Sequence, residues 1–387
     1  MAQAIISRKS GGYATITFDN FSAFARGTAN GLSVARAYLA ATTVGDYALF
    51  AGGYTGDHSS VVDAYNTSLT KSTPTALSVA RTNLSATTVG SYALFGGGGI
   101  GSSYYSNVDA YNISLTRSTP TALSVARRYL AATTVGSYAL FGGGGDNNGG
   151  RGSSIVDAYN TSLTRSTPTA LSDNLEDLAA TTVGNYALFG GGANGTSNFT
   201  ATVDAYNTSL TRSTPTALSV ARRYLAATTV GDYALFGGGA LNGNLIDAYY
   251  TNLTRSTPTS LSVERYGLAA TTVSNYALFG GGYYYSSVVD AYNTSLTRST
   301  PTALSAARTG LKATTVGDYA LFGGGSDSSV GFSVVDAYYL NNQVQVYPGT
   351  KYKLGSMTDE ATSDSMQMIT TTVPITGYIK IKNTIIN

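Results

Sequence analysis

The sequence predicts an all-β protein, specifically a seven-bladed β-propeller with four antiparallel strands in each blade. A repeat is the first observation: Ala-Leu-Phe recurs seven times, 43 to 48 residues apart, with its phenylalanine at Phe50, Phe95, Phe141, Phe189, Phe236, Phe279 and Phe322. Composition is the second, because 45 glycines and 30 tyrosines in 387 residues are typical of short strands joined by tight turns. The third is that every copy contains strand-sized segments in one fixed order.

The third copy illustrates the four strands, which we name A to D. Strand A is predicted at residues 130–135 (Leu-Ala-Ala-Thr-Thr-Val), whose small side chains suit the crowded inner end of a radial sheet. Strand B is predicted at residues 138–141 (Tyr-Ala-Leu-Phe), strand C at residues 156–159 (Val-Asp-Ala-Tyr), and strand D after an Asn-Thr-Ser turn. Because adjacent apolar residues of strand B point to opposite faces, both faces of each blade must be covered by neighbouring blades.

The ends of the chain complete the ring in this prediction. Residues 24–28 match the strand D positions of the first copy, and the seventh copy lacks a strand D of its own. An N-terminal strand is therefore expected to close the last blade, which removes the open sheet edges. We divide the chain into an N-terminal anchor segment (1–20), the propeller (21–339) and a small C-terminal β module for attachment (340–387).

The order of residues resembles the kelch repeat. Tyr138 to Phe141 followed by two glycines, Tyr159 on strand C and Arg127 before strand A all match the kelch pattern, and the resemblance spans residues 32–338. It implies a kelch-like propeller, although a leucine such as Leu163 stands where the family has a strand D tryptophan. Copper radical oxidases related to galactose oxidase share the superfamily but need two histidines and a cysteine. This chain has one histidine and no cysteine, so it cannot be one of them.

Composition also limits the chemistry. Only 11% of the residues are charged, and 23 basic against 21 acidic residues give a net charge of +2, which does not favour nucleic-acid binding. With one histidine and no cysteine we expect no catalytic residues, no metal site and no cofactor. No apolar stretch approaches 18 residues and no export signal is evident, so we also expect no membrane insertion.

One aspartate per copy faces a basic residue eight positions later across a hairpin. We interpret these as a structural ion-pair ladder of exposed pairs, each worth roughly 0 to 1 kcal/mol. The pairs are Asp63 with Lys71, Asp109 with Arg117, Asp157 with Arg165, Asp204 with Arg212, Asp247 with Arg255, Asp290 with Arg298, and Asp336 with Arg26.

Strand direction gives the ring two faces. The A–B and C–D turns lie on one face and are monotonous, whereas the B–C and D–A loops lie on the other and vary between copies; we call the latter the loop face. Exposed tyrosine and arginine among glycine, serine and asparagine are typical of binding surfaces. The predicted ligand-binding residues are Tyr104, Tyr105, Arg128, Tyr129, Arg223, Tyr224, Tyr266, Tyr283, Tyr284 and Tyr285.

Residues 4–12 (Ala-Ile-Ile-Ser-Arg-Lys-Ser-Gly-Gly) resemble the opening of phage and prophage virion proteins of Gram-positive bacteria that carry kelch propellers. The leading expectation is therefore a non-enzymatic virion protein, a tail-fibre, baseplate or decoration component located in the virion. Its termini would contact other virion proteins, several copies per particle would be present, and the loop face would bind host glycan or wall polymer. Two alternatives remain open: a cytoplasmic kelch adaptor for a protein partner, and a sugar mutarotase-like enzyme using Asp173, Glu176 and Asp177.

Overall fold

The computed structural model describes residues 2–7, 13–18, 23–146, 152–195, 198–241, 243–327, 330–341, 345–346, 369–371 and 380–381. The chain separates into two compact units. One unit is Arg26–Tyr339, and the other consists of Met1–Ala25 together with Leu340–Asn387.

The larger unit confirms the predicted fold class, with seven four-stranded antiparallel sheets arranged as a propeller. Strands A are Ala40–Val44, Ser85–Val89, Ala131–Val135, Ala179–Val183, Ala226–Val230, Ala269–Val273 and Lys312–Val316. Strands B are Tyr47–Ala51, Tyr92–Gly96, Tyr138–Gly142, Tyr186–Gly190, Tyr233–Gly237, Tyr276–Gly280 and Tyr319–Gly323. Strands C are Val62–Asn66, Val108–Asn112, Val156–Asn160, Val203–Asn207, Ile246–Tyr250, Val289–Asn293 and Val335–Asn341. Strands D are Lys71–Ser72, Arg117–Ser118, Arg165–Ser166, Arg212–Ser213, Arg255–Ser256, Arg298–Ser299 and Ala23–Ala29.

The ring closes as the sequence predicts. The N-terminal strand Ala23–Ala29 lies beside strand C of blade seven, so the first and last parts of the repeat region share one sheet. Strand C of that blade ends at Asn341, and its Tyr339 ring lies 5.5 Å from the ring of Tyr319, the residue that follows the A–B turn. The chain therefore leaves the propeller on the face opposite the loop face.

Strand B explains why the blades pack so closely. Leu49 and Phe50 are both fully buried, but they belong to separate apolar clusters on opposite sides of blade one. In six of the seven blades the residue after this phenylalanine is glycine, which leaves room for the phenylalanine of the next blade: a Cβ on Gly142 would lie 2.7 Å from the Phe189 ring. Gly143 follows with φ of 68°, a left-handed conformation that favours glycine.

Threonines join the inner ends of the blades. Each strand A carries a Thr-Thr pair whose hydroxyls bond to the neighbouring blades at 2.8 to 2.9 Å. The bonded pairs run around the whole axis: Thr42–Thr88, Thr87–Thr134, Thr133–Thr182, Thr181–Thr229, Thr228–Thr272, Thr271–Thr315 and Thr314–Thr43. Because every side-chain hydroxyl in this ring has a partner, polar strands can converge at the axis without an energetic penalty for unpaired groups.

The ion-pair ladder differs from the prediction in two respects. Six of the predicted pairs are present, at 2.7 to 3.7 Å, but Lys71 donates to the Gly31 carbonyl at 2.8 Å instead of pairing with Asp63. The aspartates are also fully buried rather than exposed, and six of the seven bond to a second, buried arginine that the sequence interpretation overlooked. These pairs are Arg36–Asp63, Arg81–Asp109, Arg127–Asp157, Arg222–Asp247, Arg265–Asp290 and Arg308–Asp336.

Asp109 shows how the aspartate connects a blade. It accepts from Arg81 at 2.8 Å, from Arg117 at 2.8 Å and from the Ser78 backbone at 3.0 Å. Arg81 also donates to the Phe95 carbonyl of strand B at 3.1 Å. One carboxylate thus fastens the D–A segment and strand D to strand C.

The smaller unit contains strands from both ends of the chain. Ala2–Ser7 pairs antiparallel with Tyr13–Phe18 and with Ile369–Thr371. Gln345–Val346 pairs in parallel with Lys380–Ile381. The remainder of the predicted C-terminal module lies outside the described residues.

Candidate functional site

The D–A and B–C loops of each blade meet on the loop face. Short antiparallel bridges join them, such as Arg127–Arg128 with Gly145–Asp146 in blade three and Glu176 with Ala193 in blade four. These bridges hold the irregular loops against a regular frame, so side chains on them have defined positions.

Seven equivalent D–A residues form a closed circle of backbone hydrogen bonds around the axis. Each N–H donates to the carbonyl of its counterpart in the neighbouring blade at 2.8 to 3.3 Å. All seven have positive φ: Tyr38, Asn83, Tyr129, Asp177, Tyr224, Gly267 and Gly310. Their side chains vary while their backbone does not, and this circle, which we call the rim, frames the entrance to the axis.

A cavity of about 630 Å³ lies inside the rim. That volume is within the usual range for small-molecule sites. Four of the predicted ligand-binding residues line it, namely Tyr129, Tyr224, Tyr266 and Tyr283. A ring of buried leucines, one per blade, forms its apolar wall: Leu39, Leu84, Leu130, Leu178, Leu225, Leu268 and Leu311.

Five predicted tyrosines form one continuous aromatic surface at the rim, which we call the tyrosine patch. Tyr266 and Tyr283 stack at 4.5 Å with their planes 19° apart, and Tyr224 lies 6.0 Å from Tyr266. Tyr284 and Tyr285 lie 5.4 Å and 6.0 Å from Tyr283. Tyr284 is 76% exposed, which is unusual for a large aromatic side chain.

The backbone of this patch is strained. Tyr284 and Tyr285 have φ of 65° and 49°, a region that costs roughly 1 to 2 kcal/mol for residues other than glycine. At the rim, positive φ recurs in every blade and serves the hydrogen-bonded circle, whereas this tyrosine pair occurs once and on the surface. Strain of that kind is concentrated at functional sites.

The other predicted residues lie around the patch. Arg128 packs between the rings of Tyr104 and Tyr129, at 4.5 Å and 4.9 Å, and donates to the Gly101 carbonyl at 2.8 Å. Tyr105 is half-buried and does not line the cavity. The structure therefore brings Tyr129 and the tyrosine patch together at the rim, with Arg128 and Tyr104 beside them.

Blade four contributes an acidic side chain, Asp177, to the cavity wall. Asp177 occupies a rim position, its carboxylate is only 5% exposed, and Arg223 lies 3.8 Å away. Burial and, to a smaller extent, the charge of Glu176 raise the pKa of Asp177 to about 7, although the Tyr224 hydroxyl and the guanidinium groups of Arg223 and Arg128 oppose the rise. Near neutral pH this carboxyl therefore exists in both protonation states.

The consecutive arginines of the D–A segments, Arg127–Arg128 and Arg222–Arg223, have different roles. Arg127, Arg222 and Arg265 are fully buried ion-pair partners. Arg223, which follows Arg222, instead lies over the rings of Phe199 and Tyr224 at 4.9 Å and 4.7 Å. Only the second arginine of each pair can therefore contact a ligand.

Tyr38 and Lys312 are two of the cavity residues that the sequence prediction missed. Both could have been found by aligning the repeats. Tyr38 occupies the same position as Tyr129 and Tyr224, and Lys312 stands where the other strands A begin with alanine or serine.

The described residues contain no group of three or more histidine, cysteine, aspartate or glutamate side chains that could hold a metal ion. Within the same residues, no helix is long and apolar enough to span a membrane.

No family model matches the chain, and no curated protein matches it. Solved structures that match it include that of YjhT, with a TM-score of 0.52 and 10% sequence identity over 79% of this chain and 95% of that one. At this identity the similarity shows the fold alone, a β-propeller.

Proposed function

We propose that this protein is a non-enzymatic recognition protein of the virion, kelch-like in its repeat, that binds a saccharide of the host surface at the rim of its propeller. The tyrosine patch is the observation that carries this proposal. Flat aromatic rings supply rigid contact area with few side-chain torsions to immobilise, and their hydroxyls can bond to polar ligands.

The position of the patch supports the proposal. It borders a cavity of monosaccharide or disaccharide scale, so a terminal sugar could enter while the rest of a chain lies across Tyr284. The propeller chain ends on the opposite face, at Asn341, which would leave the loop face free when the termini attach to other virion proteins. Several copies on one particle could raise avidity by roughly 10² to 10⁴.

The test replaces the three consecutive tyrosines, in Y283A/Y284A/Y285A. We expect binding to isolated cell-wall polymers and to a glycan array to fall roughly tenfold or more, with an unchanged melting temperature, because these side chains are mainly exposed. Tyr250→Ala is the matched control, since Tyr250 is 37% exposed like Tyr285 but lies at a C–D turn on the other face. Equal binding by the triple variant and the wild type would refute the proposal. Copurification with virus particles tests the virion location separately.

A mutarotase-like activity is a second candidate, favoured by Asp177 alone. A carboxyl with a pKa of about 7 in a cavity is suited to proton transfer at neutral pH. Asp173 is less suited, because it bonds to the neighbouring Asn174 backbone at 2.8 Å and does not line the cavity. Anomer interconversion measured by NMR should then depend on Asp177, and a rate unaffected by Asp177→Asn would exclude this candidate.

A further inference from the structure

Lys312 is the only charged residue among the seven first residues of the strands A, at the inner ends of the blades. The equivalent positions, the first residues of the other strands A, are Ala40, Ser85, Ala131, Ala179, Ala226 and Ala269. Those blades have the same four-stranded sheet, so the fold does not require a lysine there. The lysine must be explained by something other than blade structure.

The Lys312 side chain lies where the cavity narrows. It lines both the 630 Å³ cavity and the 210 Å³ alanine-lined space directly below it. The side chain is exposed to solvent within the cavity, and desolvation by the surrounding protein lowers the pKa of its ammonium group. A ligand entering from the loop face would meet this cation at the bottom of the cavity.

No carboxylate in the described part of the chain lies within ion-pair distance of the Lys312 ammonium. Asp177 is near enough to raise the pKa of Lys312 through its charge, but it forms its own ion pair with Arg223. The Lys312 ammonium is therefore free to pair with a bound anion, and such a pair is stronger in a partly desolvated cavity than in open water.

We propose that Lys312 binds the anionic group of a small ligand that enters the cavity from the loop face. The inference rests on the proposed function, in which the ligand is a saccharide that packs against Tyr266 and Tyr283. A carboxylate or a phosphate would each provide the required charge. Lys312 would then select acidic saccharides over neutral ones.

Binding of such a ligand should weaken as pH rises. Asp177 acquires its negative charge around pH 7 and then repels an anion. Lys312, whose pKa is lowered by burial, also loses its positive charge as pH rises. The other charged or titratable groups that act on Asp177 are Glu176, Tyr224, Arg223 and Arg128. The two arginines keep their charge throughout, so they do not reverse this trend.

The experiment compares the full chain with Lys312→Ala by isothermal titration calorimetry. Lys312→Ala restores the residue found in neighbouring blades, so we expect an unchanged melting temperature. D-glucuronate and glucose 6-phosphate distinguish a carboxylate from a phosphate, D-glucose is the neutral probe, and measurements at about pH 6 and about pH 8 bracket the Asp177 transition. Lys71→Ala is the matched control, because it removes one lysine that bonds to the Gly31 carbonyl outside the cavity.

We expect at least one anionic sugar to bind the wild type roughly tenfold or more tightly than Lys312→Ala, and more tightly at the lower pH. Lys71→Ala should bind like the wild type. Equal affinity of Lys312→Ala and wild type for both anionic sugars would overturn the inference, as would a preference for D-glucose.

Acetate and inorganic phosphate separate this inference from the proposed function. If they shift the NMR signal of the Lys312 ammonium while no sugar binds, the anion site stands and the saccharide function fails. If sugars bind through the tyrosine patch with no dependence on Lys312, the saccharide function stands and the anion site fails.

Discussion

Two kinds of D–A segment occur in one ring, and the difference between them is informative. Six segments carry a fully buried arginine that bonds to the strand C aspartate of their blade. In blade four Leu175 takes that place, and among the described residues Asp204 accepts from the Ser172 hydroxyl at 2.9 Å, from the Ser172 backbone at 3.0 Å and from Arg212 at 2.7 Å. Two residues after the missing arginine stands Asp177, the one acid on the rim.

The comparison separates structural from functional variation. The buried residues of the repeat hardly differ between blades, because the guanidinium and the carboxylate of each buried ion pair must match in geometry as well as in charge. The rim residues, which border the cavity, differ freely in their side chains, because the hydrogen bonds of the rim join only backbone atoms. Blade four differs at both places: it carries the acidic rim residue Asp177 and lacks the buried arginine.

The largest expected effect comes from breaking one buried pair. Arg81→Met should lower the free energy of unfolding by roughly 3 to 5 kcal/mol, because it leaves the buried Asp109 carboxylate without its main partner. Arg117→Met removes the partly exposed partner of the same carboxylate and should cost less than about 1 kcal/mol. Guanidinium unfolding monitored by circular dichroism measures both, and similar losses would show that burial does not distinguish the two arginines.

A smaller, pH-dependent effect is expected at blade four. The pKa of Asp177 rises from an ordinary 3.8 to about 7 on folding, so the folded protein binds more protons between these values and loses stability as pH rises through them. Asp177→Asn should therefore match the wild type below about pH 4 and exceed it by roughly 1 to 4 kcal/mol above about pH 7. Urea unfolding across this range measures the difference, with Asp173→Asn as control. Parallel curves for Asp177→Asn and wild type would contradict the burial of this charge.

The smallest expected effect is at the tyrosine patch. Tyr284→Asn replaces an exposed aromatic residue of positive φ with one that tolerates this conformation. The free energy of unfolding should then stay the same or rise by less than about 1 kcal/mol. Tyr159→Asn, at a buried strand C position, should destabilise strongly in the same assay. A marked loss on Tyr284→Asn would mean that the patch serves the fold rather than a ligand.

Sequence reasoning succeeded wherever the repeat itself carried the information. Seven copies of the strand B tripeptide predicted the blades, and the match of residues 24–28 to strand D predicted the closing strand. It found six of the seven hairpin partners of the aspartates but missed the buried arginines that bond to six of them. An arginine eight residues away on a hairpin is evident from spacing, whereas Arg81 reaches Asp109 from 28 residues away through a loop whose path only packing determines.

The sequence by itself determined the fold class, the number of blades, the closure of the ring and the face on which variation collects, because all of these follow from periodicity and strand direction. Tertiary structure alone decided which tyrosines meet at the rim, how deeply Asp177 is buried and that Lys312 lies at the bottom of the cavity. Those properties arise where seven distant segments converge on one axis, and convergence depends on how the blades pack rather than on any local pattern of residues.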